Sequence, residues 1–94
     1  MPEDLYCQIA VKIIEKQESI IGPIAVDQAQ LVPGLTVEWS QRSVQIQGEP
    51  QAAIDSLVHQ YQDLFGLIAV ETCRDTVSQL VDQLPVVQRP STLN

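Results

Sequence analysis

Residues 35–48 read LTVEWSQRSVQIQG, and this stretch decides the fold class. Leu35, Thr36, Val37, Glu38 and Trp39 alternate apolar with polar, and Val44, Gln45, Ile46, Gln47 and Gly48 do so again, the period of two that marks half-buried strands. The four residues between them, Ser40, Gln41, Arg42 and Ser43, suit a hairpin connection. The expected hairpin puts Leu35, Val37, Trp39, Val44 and Ile46 on one face and Thr36, Glu38, Gln45 and Gln47 on the other. Two strands alone are marginal. The apolar face must pack on helices, or the free edges must pair with another hairpin across a dimer axis.

On the N-terminal side, Leu5, Ile9, Ile13, Ile20 and Ile24 recur at helical steps, widened by Tyr6, Ala10, Ile14 and Ile21. Gly22 and Pro23 interrupt the stripe, because proline lacks a backbone donor and clashes with the carbonyl four residues back. The segment therefore reads as a long helix broken there, with a second piece starting at Pro23 and ended by Pro33 and Gly34. On the C-terminal side, Ile54, Leu57, Val58, Tyr61, Leu64 and Phe65 form one helical stripe, and Val70, Cys73, Val77, Leu80, Val81 and Leu84 form another. Gly66 joins them as a sharp turn or a bend, and Pro85 closes the second. The expected fold is α+β, in the order α-α-β-β-α-α, with the two C-terminal amphipathic helices layered against the hairpin. Residues 1–85 are expected to form one small domain, and residues 86–94 a flexible C-terminal tail without periodicity.

The chain has 94 residues, which admits one domain and leaves no room for a large substrate cleft. Area scaling predicts roughly 5,400 Å² of surface once folded, near the lower limit for a self-sufficient core. Twelve acidic residues against five basic ones give a net charge of −7. The basic residues are scattered, so nucleic acid and anionic membrane surfaces are poor partners. An acidic start without an apolar targeting stretch leads to an expected cytoplasmic location. Cys7 and Cys73 lack CxxC neighbours and read as two reduced thiols.

No glycine string suits a phosphate loop, and no cofactor is expected. Asp55, His59 and Asp63 stand four residues apart on one helix face, a small charge cluster. They are weak metal candidates, because one histidine with two carboxylates lacks the donor set zinc generally draws on. Glu71, Asp75 and Gln79 form a polar line explained by contacts to Arg74 and water. Ser56 beside His59 lacks an oxyanion donor pair, and no catalytic constellation emerges.

The apolar arc of residues 5–25 spans about half the helical wheel, more than one core easily covers. The leading expectation is therefore a non-catalytic interaction, assembly or adaptor module, homodimeric, presenting its N-terminal helix face or its hairpin to a larger protein. The candidate interface residues are Cys7, Val11, Ile14, Ile21, Ala25, Trp39, Gln45 and Gln47. Thirteen glutamines give much of the surface a polar but uncharged character that costs less to desolvate. Two alternatives stand beside it. One is a small regulatory domain sensing pH, metal or a small ligand through Asp55, His59 and Asp63. The other is an enzyme subunit whose site is completed across an oligomer.

Overall fold

The computed structural model describes residues 2–93, with side chains from Leu5 onward, so Met1 and Asn94 at the ends of the expected domain and tail lie outside the described residues. Helix α1 (Pro2–Ile21) runs unbroken for 20 residues, and α2 (Ile24–Gln30) follows it. The interruption falls at Gly22 and Pro23 as the sequence requires, with Gly22 at φ +80°. What precedes it is a single helix, and only the short α2 is set off from it.

Strands β1 (Leu35–Glu38) and β2 (Ser43–Ile46) pair antiparallel, Leu35 opposite Ile46 and Val37 opposite Val44. Trp39 leaves the expected strand to enter a 3₁₀ turn, Trp39–Gln41, and Arg42 closes the connection in the left-handed region at φ 51°. Gly34 stands at φ +81°, and a Cβ there would lie 2.7 Å from the Gln47 carbonyl oxygen. Only glycine fits that entry to the hairpin.

Helices α3 (Pro50–Phe65) and α4 (Leu67–Val81) fold back on each other at Gly66, whose φ of 77° and ψ of −165° make a sharp turn. Pro50 opens α3 at a position where its missing N–H costs nothing. The core is the crossing of α1, α3 and α4, where Ile9, Ile13, Ile14, Ile54, Leu57, Val58, Tyr61, Cys73 and Val77 are wholly buried. The hairpin rests chiefly on α1 and α2, not on a layer formed by the C-terminal pair. Because α4, α2, α3 and β2 all pack on α1, its wide apolar arc is largely satisfied within the chain. The accessible surface of 5307 Å² matches the area law for this mass.

The expected flexible tail is folded onto the domain. Val86–Gln88 and Ser91–Leu93 form 3₁₀ turns, and Pro90 and Leu93 are buried. Tyr6 donates its hydroxyl hydrogen to the Gln88 carbonyl at 2.5 Å, Gln51 Nε2 donates to Val87 O at 2.9 Å, and Arg89 Nε donates to Leu84 O at 3.0 Å. Val86 and Val87, the apolar residues a docking tail would use, remain exposed. The segment is held by side-chain bonds to its backbone, which leave no periodicity in a sequence.

Candidate functional site

The Asp55, His59 and Asp63 cluster is occupied differently from its sequence spacing. Asp55 Oδ1 accepts from the Thr92 N–H at 3.0 Å and the Thr92 hydroxyl at 2.7 Å. Its Oδ2 accepts from the Ser91 hydroxyl at 3.0 Å and the Ser91 N–H at 3.3 Å. Partial burial pushes this carboxyl up, but the bonds from Thr92 and Ser91 outweigh it and hold the pKa below the usual carboxylate value. Asp55 caps the Ser91–Leu93 turn, while His59 and Asp63 stand exposed farther along α3. Among the described residues no three His, Cys, Asp or Glu side chains converge in a metal-holding group.

Cys73 is buried in the core, where burial pushes its thiol up to about 11 against the lowering effect of the Gln17 Nε2–H that donates to its sulfur at 3.5 Å. A thiol so placed is inert at neutral pH. Gln17 itself is 2% exposed in the middle of an apolar stripe. Its position at a helical step from Ile13 and Ile14 marks it as inward-facing, but its sequence type hides that. The Glu71, Asp75 and Gln79 line does not draw in Arg74, whose Nη2 instead donates to the Thr92 carbonyl at 3.3 Å.

Trp39 is committed inside the chain. Its indole Nε1–H donates to Glu18 Oε2 at 3.0 Å, Arg42 Nη1 donates to Glu18 Oε1 at 3.0 Å, and the Arg42 guanidinium carbon lies 4.5 Å from the centre of the indole ring. The three residues clamp the tip of the hairpin to α1, and the stacked guanidinium adds a cation–π attraction.

Of the expected interface residues, Ile14 and Ala25 are core residues with no exposed surface. Ala25 also offers its carbonyl to the buried Tyr61 hydroxyl at 2.6 Å. Cys7, Val11, Ile21 and Trp39 are half-buried, and Gln45 and Gln47 are exposed on the polar face of the sheet.

Among the described residues, two surfaces stand out. The first is a groove of about 720 Å³ between α1, the outer edge of β2 and α4. Cys7 and Val11 from α1, Val44 from β2 and Leu80 from α4 supply its apolar lining, and Gln8, Gln79 and Gln83 supply amides. Lys12 and Arg42, two of the five basic side chains, also line it, with Asp75 across from them. That volume lies within the range of natural binding clefts.

The second surface is the turn between α3 and α4. Leu64, Phe65, Leu67 and Ile68 are 42–69% exposed there. Gln17 meets Cys73 and Tyr61 meets Ala25, so α1, α2, α3 and α4 bring this turn and the Ile20 and Ile24 side chains to one end of the molecule.

Among the described residues no helix is long and apolar enough to cross a membrane. Neither a protein-family model, nor a curated protein, nor a solved structure matches the chain, so its functional reading rests on its own geometry.

Proposed function

We propose that this chain is a non-catalytic protein-interaction module whose working surface is the groove between α1, β2 and α4. One observation carries the reading. The groove combines an apolar lining from three separate elements with an edge strand of a two-stranded sheet, and the amides of Gln8, Gln79 and Gln83 in its wall cost less to cover than charged groups. A partner strand or loop seated there gains apolar contact from Val11 and Leu80 and main-chain bonds from β2, the mode of recognition known as strand addition. The groove keeps two of the eight residues singled out for an interface by sequence, Cys7 and Val11, and adds Val44 and Leu80 from elements distant in the chain.

Val11→Asp tests it. Val11 is half-buried at the groove, so an aspartate there can reach water and the domain stays folded, as far-UV circular dichroism will show. The immobilised wild-type chain should retain its protein partner, and the Val11→Asp chain should lose it, because a carboxylate facing an apolar contact is left desolvated and unpaired. A partner retained equally by both chains would move the working surface away from the groove.

A further inference from the structure

We propose that the occupant of this edge is a second copy of the chain, joined by antiparallel pairing of β2 with β2 about a two-fold axis through Gln45. The proposal rests on the groove being a protein-docking surface and names its partner.

The register of the hairpin carries it. The Gly34 carbonyl accepts from the Gln47 N–H at 2.7 Å, and in an antiparallel pair the backbone groups of successive residues alternate sides. Gln47, Gln45 and Ser43 therefore direct their N–H and C=O groups toward β1. Val44 and Ile46 direct theirs outward. Among the described residues neither of these two makes a backbone–backbone bond outside the hairpin.

That edge is complementary to itself. Setting Val44 of one copy opposite Ile46 of the other satisfies the outward N–H and C=O of both residues, and the two-fold repeats the exchange. A continuous four-stranded antiparallel sheet results, which escapes the marginal stability of an isolated hairpin. Gln45 then faces Gln45 of the other copy on the exposed side of the sheet, where two amides hydrogen-bond without a charge to desolvate. The same register sets Arg42 of each copy opposite the exposed Gly48 of the other, and Gln41 opposite the exposed Glu49, so no like charges stand directly opposite along the new ladder. The uncharged centre keeps the contact itself free of like charges although each chain carries −7, so the dimer should tighten as added salt screens the remaining repulsion.

Light scattering on the purified full chain, from about 1 µM to about 1 mM, reads the proposal directly. The mass should rise from one chain to two. Gln45→Glu and Gln45→Lys should each weaken the dimer about fivefold, because like charges then stand directly opposite on the axis. An equimolar mixture of the two variants should recover the dimer, since the heterodimer pairs a carboxylate with an ammonium. Position 45 is exposed, so both variants should retain the wild-type circular dichroism spectrum.

A chain that stays monomeric throughout overturns the proposal and leaves the groove itself to the Val11→Asp comparison. A dimer of equal affinity in Gln45→Glu, Gln45→Lys and their mixture also overturns it. Such a dimer would place the contact elsewhere, first of all at the apolar turn around Phe65 and Leu67.

Discussion

The crossing of α1, α3 and α4 and the C-terminal segment 86–93 are both folded, but different forces hold them. In the crossing, Ile9, Ile13, Ile54, Leu57, Val58 and Val77 are wholly buried, and the attraction is the removal of apolar surface from water. The C-terminal segment buries Pro90 and Leu93 but is otherwise fastened by Asp55, Tyr6, Gln51 and Arg89, each bonding a backbone group. Apolar burial is non-directional and shared among many residues. The polar fastenings are directional and concentrated in a few. The first should therefore respond to damage as one cooperative unit, whereas the second should be able to detach alone.

The largest expected effect tests the cooperative half. Leu57→Asp places a carboxylate at a site with no exposed surface, among the buried apolar side chains of the core. The cost of several kcal/mol is comparable to the total stability of about 5–10 kcal/mol expected for a domain of this size. The variant should show no cooperative thermal transition by circular dichroism. A cooperative melt with a midpoint close to that of the unmodified chain would mean that the crossing tolerates local rearrangement, and the contrast between the two regions would fail.

The same contrast explains what the sequence made legible. Periods of 3.6 and 2 come from burial on one face, so the helices, the hairpin with its two faces and the α-α-β-β-α-α order could be read from positions such as Leu57, Val58, Val37 and Val44. The C-terminal segment could not, because a fork such as Asp55 with Ser91 and Thr92 joins residues 36 and 37 positions apart without a repeating pattern. Spacing instead grouped Asp55 with His59 and Asp63 on α3, since the nearest neighbours along a helix are visible and those across the fold are not. The groove was half legible for a similar reason. Cys7 and Val11 lie at the edge of the α1 arc, while Val44 and Leu80 reach the groove only through tertiary packing. Ile14 and Ala25 show the converse error. A broad stripe over residues 5–25 suggested an outside partner, but with α2, α3, α4 and β2 all packed on α1 the chain uses that stripe internally.

Smaller effects should separate the C-terminal segment from the crossing. Asp55→Ala removes the acceptor for two backbone N–H groups at the start of the Ser91–Leu93 turn, and losses of this capping kind cost about 1–2 kcal/mol. Amide hydrogen exchange should accelerate in residues 86–93 while protection at Ile13, Leu57 and Val77 changes little. Uniform loss of protection across both regions would show that the segment belongs to the cooperative core.

Acid should weaken the same fastening without a mutation, and the direction follows from the sign of the shift. Asp55 has a folded pKa held below its ordinary value of 3.8, because its hydrogen bonds favour the carboxylate and overcome the opposing effect of partial burial. Between the folded and unfolded values the unfolded chain binds more protons, so stability rises with pH across that window. The contribution of Asp55 is complete above 3.8, declines as pH falls toward the folded value and is lost below it. The Ser91 and Thr92 amide proton resonances should therefore titrate together with a midpoint below 3.8, and the titration should vanish in Asp55→Asn. The wild-type chain should lose stability relative to Asp55→Asn as the pH is lowered through this window, because only the wild-type side chain takes up a proton there. A midpoint at or above 3.8 would mean that burial outweighs the four bonds, and the C-terminal segment would then owe more to Pro90 and Leu93 than to its polar fastenings.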